Sequence, residues 1–516
     1  MSFSDNAKPL FILGLILFVI GFLGIPSAFS ANPEANKAYA KGKKLMASGD
    51  FNGAIEAFEK AIELDPNFIE AHLNLGGAYI AAGKINEAES SFKKVLSIRP
   101  DDSRALTNLG VIYEKKGMRE AALAKYEKAI ESDPKNAEAW YNLGVTFAAM
   151  NDLVKAANAY EKATQLKPKF AEAHSNLGGI YFKMGNYAKA AAEFRIALTI
   201  KPDMPEARSN LGSAFLQQGQ IDDAIEQLAM AVAADPKNAV ARFNLGNAYL
   251  KKGFVQRAVA EMESAVELDA KIAKESAYLL GIAYIRNGER QKGLKILKDE
   301  CQTDPKSFEA HYTLGNALEE EGNLDEALQH YYIAQEIKPN NPEVFYNLGV
   351  TYLKLGDVQK GIQALESASK LAPNDPQIFN SLGNAYDDAG RLDDSIAAYN
   401  RSLSIQPKYA EARYNMGIAL KKKGDWKAAA EAFETVFTHN QNLVRALYAL
   451  AWTYEEAGQN QKAIEAWQKY LDYARNNQFE AVRIKTAERR LRHLTTEQSA
   501  SPSDQSPVNA PPSGNQ

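Results

Sequence analysis

The chain has 516 residues, of which 46% are hydrophobic and 24% are charged, and its formal net charge is −4 at pH 7. So small a charge creates no overall field that would attract nucleic acid or acidic lipid, which disfavours both as partners. The single cysteine, Cys301, excludes an intramolecular disulfide, and we expect it to be a buried apolar thiol.

Residues 1–31 have the pattern of a membrane-targeting segment. Lys8 precedes an apolar run from 10 to 25, and Pro26 and small residues follow as far as Ala31. A basic, then an apolar, then a small-residue region is typical of a secretory signal peptide. If the run is extended to Phe29, it reaches about the 20 residues that span a bilayer, so an uncleaved membrane anchor is the alternative.

The charges that flank this segment leave its orientation open. Lys8 stands before the apolar run, but four lysines follow it: Lys37, Lys41, Lys43 and Lys44. The positive-inside rule counts both flanks. Because the later lysines belong to the first repeat described below, we favour an exported location, periplasmic or membrane-anchored on the exported side. An anchor with the repeats facing the cytoplasm is the alternative.

A period of 34 residues fills the chain from residue 35 to 477, where prolines recur at positions such as Pro66, Pro100 and Pro134. Taking this proline as position 32 of a repeat gives thirteen repeats, with one extra residue before the eighth. They start at residues 35, 69, 103, 137, 171, 205, 239, 274, 308, 342, 376, 410 and 444. Self-similarity at this period predicts stacked structural repeats.

Each repeat has the pattern of two antiparallel helices, A and B. Small residues at positions 8 and 20, such as Gly144 and Ala156, let the helices approach closely. Bulky residues at positions 11 and 24, such as Phe147 and Tyr160, fill the space beside that contact. Glycine at position 15, or Asn151 in one repeat, accepts the left-handed conformation that ends helix A, and proline ends helix B.

Together with segments such as Tyr141-Asn142-Leu143-Gly144 and Leu64-Asp65-Pro66, these positions resemble the tetratricopeptide-repeat (TPR) family. The resemblance covers residues 35–477. It implies an all-α, right-handed superhelical solenoid of antiparallel helix pairs, in which helix A lines a concave groove.

The eighth repeat departs from the pattern, within an irregular segment at residues 270–307. Ala270 replaces the proline, and seven basic residues gather there: Lys271, Lys274, Arg286, Arg290, Lys292, Lys295 and Lys298. One interpretation is an irregular joint with a solvated face. The other is a change of superhelical pitch that divides two binding halves and docks an acidic partner.

After the repeats, residues 478–494 are predicted to form a capping helix, because the last repeat of a stack needs its apolar face covered. We expect Phe479, Val482, Leu491 and Leu494 to cover it. Residues 495–516 are rich in Ser, Pro, Asn and Gln and are predicted to be a disordered tail.

No catalytic or metal-binding motif accompanies the repeats. The six histidines have no ligand spacing such as H-E-x-x-H, so we predict no metal site. Phosphate-binding loops and nucleophile elbows are also missing from the sequence. We therefore expect no enzymatic activity, no cofactor and no small-molecule substrate.

Position 6 of helix A holds the candidate binding residues, because asparagine occupies it in eight repeats. In the TPR family this position faces the groove, and the run resembles the asparagine ladder in the repeat arm of O-linked N-acetylglucosamine transferase. The resemblance implies that the amides bond the backbone of an extended peptide. The alternative is a role in local helix contacts. The eight residues are Asn74, Asn108, Asn142, Asn176, Asn210, Asn244, Asn347 and Asn415.

Position 5 differs between the early and the late repeats. Tyrosine occupies it at Tyr278, Tyr312, Tyr346, Tyr414 and Tyr448. A tyrosine combines a large apolar ring with a polar tip, which suits either recognition of a partner or packing between helices.

These features predict a membrane-targeted scaffold that binds partner proteins or extended peptides in the concave groove. The alternative is a non-catalytic subunit that presents substrates to a transferase, or to an envelope secretion or export complex. The N-terminal segment contacts the membrane if it remains uncleaved.

Overall fold

The computed structural model describes residues 30–440, 443–475 and 480–500. The predicted signal peptide or membrane anchor lies outside the described residues except for its last two positions. The described part is all-α, with 27 helices and no strand. None of these helices is long and apolar enough to cross a membrane.

The chain divides into two units, residues 1–293 and 294–516. The first contains α1 (Pro33–Ala47), α2 (Phe51–Leu64), α3 (Ile69–Ala81), α4 (Ile85–Ile98), α5 (Ser103–Lys115), α6 (Arg119–Ser132), α7 (Ala137–Ala149), α8 (Leu153–Leu166), α9 (Ala171–Lys183), α10 (Tyr187–Ile200), α11 (Pro205–Gln217), α12 (Ile221–Ala234), α13 (Ala239–Lys252), α14 (Val255–Leu268) and α15 (Ala270–Arg286).

Helix α16 (Arg290–Thr303) begins in the first unit and ends in the second. The second unit then contains α17 (Phe308–Glu320), α18 (Leu324–Ile337), α19 (Pro342–Lys354), α20 (Val358–Leu371), α21 (Pro376–Asp388), α22 (Leu392–Ile405), α23 (Ala410–Lys423), α24 (Trp426–His439), α25 (Val444–Glu456), α26 (Asn460–Ala474) and α27 (Ala481–Ala500).

The helices stack in chain order within each unit. From α1 to α15, and again from α17 to α27, every helix packs against the next one. Odd-numbered helices correspond to helix A and even-numbered helices to helix B of the predicted repeats. Apart from α1 and α15, the odd-numbered helices up to α25 begin at the predicted repeat starts.

Close approach of helix A to helix B depends on the glycine at position 8. A Cβ atom added to Gly144 would lie 2.8 Å from the Tyr160 ring, closer than a real contact allows. The ring is fully buried, so it has no open space into which it could move. Glycine at this position therefore sets the distance between α7 and α8.

Helix A ends where the sequence predicts it. Asn151 has φ 62°, in the left-handed region, and Gly185 at the same position of the next repeat has φ 78°. The chain then reverses, and the Asp152 amide donates to the Phe147 carbonyl at 2.9 Å. Asp152 in turn caps α8, because its side chain accepts from the Lys155 amide.

The eighth repeat differs from the others at its first helix. Helix α15 begins at Ala270, four residues before the predicted start, and runs for 17 residues. Asp269 alone separates α14 from α15. Asp269 caps the new helix, since its side chain accepts from the Lys271 amide. The boundary between the two units also falls inside the predicted irregular segment.

Helix α27 packs against α26, and the predicted residues Leu491 and Leu494 lie on the packed face. Ala487 and Leu494 are buried and Ile484 and Leu491 pack beside them, a spacing of three and four residues. Val482 is off this stripe and 79% exposed, so its prediction was wrong. Phe479 lies outside the described residues. The helix also continues to Ala500, beyond the predicted start of the tail at 495, and residues 501–516 are not described.

We expect Gly144→Ala to destabilise the fourth repeat. Overpacking against the Tyr160 ring costs about 1–3 kcal/mol, which outweighs the roughly 1 kcal/mol that alanine gains over glycine in a helix. Hydrogen exchange of α7 and α8 amides measures the loss locally. Ala149→Ser, at an exposed site of α7, is the control. Protection equal to the wild type in Gly144→Ala would show that the helices can separate.

Candidate functional site

Most of the predicted asparagine ladder is buried. Asn108, Asn142, Asn176, Asn210 and Asn244 are each at most 6% exposed, and only Asn74, Asn347 and Asn415 are partly exposed. The structure therefore brings the side chains into the interior between consecutive repeats, where a ligand has little access to them.

Five ladder residues donate hydrogen bonds from their side-chain amides to the preceding repeat. Asn176 Nδ2 donates to the hydroxyl of Tyr141 at 3.1 Å, and Tyr141 occupies position 5 of the repeat before it. Asn74 makes the same bond to Tyr39 at 2.8 Å. A tyrosine at position 5 and an asparagine at position 6 of the next repeat thus form a polar contact between repeats.

Where the preceding repeat has no tyrosine at position 5, the asparagine donates to another polar side chain at position 5 or position 9 of that repeat. Asn244 donates to the Ser213 hydroxyl at 3.0 Å. Asn415 donates to the Oδ1 atoms of Asn380 and Asn384 at 3.3 and 3.1 Å. In the second unit Asn347 uses both positions, bonding to Tyr312 at 3.1 Å and Asn316 at 2.8 Å. The ladder is a set of contacts between repeats in this arrangement.

The position 5 tyrosines pack between helices. Tyr312 is 2% exposed, and the Tyr414 ring lies 5.4 Å from that of Phe433. Tyr448 makes an edge-on contact with Trp467 at 5.2 Å. Burial raises the pKa of the Tyr312 hydroxyl well above its usual value, so it stays protonated near neutral pH. These contacts agree with the packing interpretation.

A second contact between repeats was missed by the sequence analysis. Tyrosine at position 11 donates to a glutamate at position 25 of the preceding helix B, as in Tyr79 to Glu59 at 2.6 Å and Tyr386 to Glu366 at 2.7 Å. Burial and the glutamate carboxylate raise the pKa of both tyrosines to about 12. The available signal was a glutamate at position 25 followed by a tyrosine at position 11, which occurs at five repeat boundaries.

A cleft of about 700 Å³ lies in the second unit between α24, α25 and α26. Its floor is apolar and buried, and its rim carries exposed charged residues from α24 and α26. The floor comprises Ala430, Phe437, Leu447, Leu450 and Ala466. The charged rim comprises Lys427, Glu431, Glu434, Lys462, Glu465 and Lys469.

The second unit also brings together Cys301, His311 and His330, whose possible ligand atoms all lie within 4.8 Å of one another. The two Nδ1 atoms are 2.9 Å apart. Burial and the neighbouring His311 lower the pKa of His330 to about 4, so the ring is neutral near pH 7. Cys301 is buried, as expected, and burial with the Glu300 carboxylate raises its pKa to about 12.

No single stretch of the sequence indicates this group. Its members stand on three helices, α16, α17 and α18, separated by 10 and 19 residues, which matches no linear metal-binding motif. The signal lay in the repeat register, where position 4 and position 23 face each other and both are histidine in the ninth repeat.

Family models cover most of the chain. Residues 31–278 match the cilia and flagella-associated protein 70 C-terminal domain. Residues 315–356 and 384–424 match a TPR repeat model, and residues 342–375 and 414–479 match tetratricopeptide repeat models. The chain is a tetratricopeptide-repeat protein. Repeats of this family are typically non-catalytic scaffolds for protein interaction.

Among solved structures, the TPR chain is similar to YrrB, described as a TPR protein with an unusual peptide-binding site, with 25% identity over 35% of this chain and 94% of that one, at TM-score 0.33. MamA is 34% identical over 31% of this chain and 94% of its own, at TM-score 0.28. The APC/C hetero-tetramer Cut9-Hcn1 is 15% identical over 90% of this chain and 96% of that one, at TM-score 0.40. No curated protein gives a significant sequence match.

We expect Asn176→Ala to destabilise the contact between the fourth and fifth repeats. Removal of a buried donor costs about 1–3 kcal/mol in the free energy of unfolding. Chemical denaturation and hydrogen exchange of α7 and α9 measure the loss. Asn158→Ala, the same change at an exposed site of α8, should leave stability nearly unchanged. Equal stability of the two variants would contradict the structural role.

Proposed function

We propose that this TPR protein is a non-catalytic scaffold that holds partner proteins through short segments bound in the cleft between α24, α25 and α26. The observation that carries the proposal is the shape of this cleft. A volume of about 700 Å³ falls within the range of small binding sites, roughly 300–1,000 Å³.

The lining of the cleft indicates the chemistry of the segment. An apolar anchor residue suits the floor formed by Phe437, Leu447 and Leu450. Three lysines and three glutamates lie on the rim, so flanking residues of either sign find a partner there. Tyr454 lines the same cleft and donates to Glu434 at 2.6 Å. We propose an apolar residue flanked by mixed charges as the occupant.

Binding of an extended peptide in the concave groove remains part of the proposal at three positions. Asn74, Asn347 and Asn415 are partly exposed, so a segment lying along helix A would reach their side chains. The five buried ladder residues would meet a ligand only if neighbouring repeats moved apart. The prediction of peptide binding in the groove therefore applies to these three partly exposed positions.

We further propose that residues 1–31 direct the chain to the membrane, with the repeats on the exported side. The basic, apolar and small-residue order of this segment supports the proposal. On this basis the scaffold serves an assembly at the cell envelope. A catalytic chain that co-purifies with the full-length protein would instead favour the role of a substrate-presenting subunit.

Photo-crosslinking tests the cleft. A photoreactive residue at Thr438, on the cleft wall, should yield a discrete product with one partner, joined near an apolar residue of that partner. Thr199 is the matched control, because it occupies the same repeat position, is also exposed and makes the same bond to the carbonyl four residues earlier. Products of the same identity from both positions would count against the cleft.

A reporter fusion tests the location. A reporter that is active only outside the cytoplasm, joined after residue 50, should be active, and deletion of residues 1–31 should abolish that activity. A cytoplasmic reporter at the same junction is the control. Activity of the cytoplasmic reporter alone would place the repeats on the cytoplasmic side.

A further inference from the structure

Cys301, His311 and His330 converge from three consecutive helices. Cys301 comes from α16, His311 from α17 and His330 from α18, and all three lie in the second unit. His311 is 4% exposed and Cys301 is 9% exposed. A cluster of one thiol and two imidazoles in the interior needs a physical explanation, because each member could have been an apolar residue.

In some other repeats the same two positions hold a different polar pair. Position 4 of helix A faces position 23 of helix B, and in the fifth repeat His174 contacts the Glu193 carboxylate at 2.6 Å. In the seventh repeat Arg242 bonds to Glu261 at 2.8 Å. These pairs join a cation or donor to an acceptor. The ninth repeat pairs two imidazoles, whose Nδ1 atoms lie 2.9 Å apart and share one hydrogen bond when one of them carries the proton.

The second nitrogen of His311 also differs from its equivalents. The Nε2 atoms of His72 and His174 lie 3.0 and 3.1 Å from the carbonyls of Pro66 and Pro168. Nε2 of His311 is buried and makes no hydrogen bond of comparable geometry. Burial lowers the pKa of this ring, although the equivalent carbonyl, that of Pro305, still acts to raise it.

We propose that Cys301, His311 and His330 form a binding site for one Zn²⁺ ion, with Sγ and the two Nδ1 atoms as ligands. One thiolate and two imidazoles suit this ion, and a water molecule completes the tetrahedron. Ligand bonds of about 2.0–2.1 Å to nitrogen and about 2.3 Å to sulfur place neighbouring ligand atoms roughly 3.4–3.6 Å apart. The present separation of the Nδ1 atoms, 2.9 Å, therefore needs only a small opening.

Coordination exchanges the thiol proton for the metal ion. The Cys301 S–H bond breaks, its proton passes to solvent, and the sulfur electron pair forms the bond to the ion, with no change of oxidation state. The two imidazoles bind as neutral ligands. Glu326, one turn before His330 on α18, adds negative charge nearby, although Lys298 at 2.9 Å offsets part of it.

A bound ion would tie α16 to α17 and α18. The site would therefore stabilise the start of the second unit, and its fourth position would be open to an exchangeable ligand.

Metal titration of the full-length chain tests the proposal. After removal of metal with a chelator, we expect one Zn²⁺ per chain, measured by competition with a chromophoric chelator. Co²⁺ in its place should give a thiolate-to-cobalt charge-transfer band and the intense visible bands of a tetrahedral site. Zn²⁺ should also raise the melting temperature.

Substitutions taken from other repeats keep the packing intact. Cys301→Val introduces the residue that the sixth repeat has at this position, Val232. This variant should remove the charge-transfer band and weaken Zn²⁺ binding at least tenfold. His311→Arg with His330→Gln copies the contact between Arg208 and Gln227 in the sixth repeat and should abolish binding. Circular dichroism checks that each variant folds. If the double variant is unfolded, the Zn²⁺ affinity of Cys301→Val tests the proposal.

His72→Asn is the matched control, because His72 occupies the same position as His311 but belongs to no such ligand group within the described residues. It should bind Zn²⁺ as the wild type does. The proposal is overturned by a Co²⁺ spectrum without a thiolate band, by Cys301→Val binding as tightly as the wild type, or by equal losses in His72→Asn and the histidine double variant.

Discussion

The contact between the glycine at position 8 of helix A and the large side chain at position 24 of helix B determines the geometry of most repeats, and Ala451 replaces the glycine in the last one. At Gly110, an added Cβ would collide with the ring of Tyr126, which is itself fully buried. This contact fixes how closely the two helices approach, and it therefore fixes which side chains face the next repeat. The polar contacts between repeats depend on that spacing.

Polar side chains then join one repeat to the next. Asn176 bonds to Tyr141 on helix A of the preceding repeat, and Tyr386 bonds to Glu366 on helix B of its preceding repeat, so helix A can form hydrogen bonds with both helices across the boundary. A buried polar group without a partner is costly, so such pairs favour one register of stacking over its alternatives. Because most of the asparagine amides are buried and hydrogen-bonded in this way, they are poor candidates for ligand contacts. The cleft is a better candidate for the partner surface.

Features that depend on local sequence could be predicted, and features that depend on contact between repeats could not. Asn151 and the prolines act on their own backbone, so the helix ends follow from the sequence. The burial of Asn142 depends on how the preceding repeat stacks against it, which no single repeat specifies. Ala270 was recognised as a departure, but not as the start of a longer helix, since capping by Asp269 compensates for the missing loop.

The cluster around His311 shows why a repeat protein can acquire a site without altering its fold. Each repeat adds its own share of stability and contacts mainly its neighbours, so an unusual pair at positions 4 and 23 disturbs one repeat only. Arg242 with Glu261, and His174 with Glu193, show that the same two positions accept different polar pairs on an unchanged backbone. A third ligand needs only one more change on the adjoining helix, and Cys301 provides it where an apolar residue would otherwise pack.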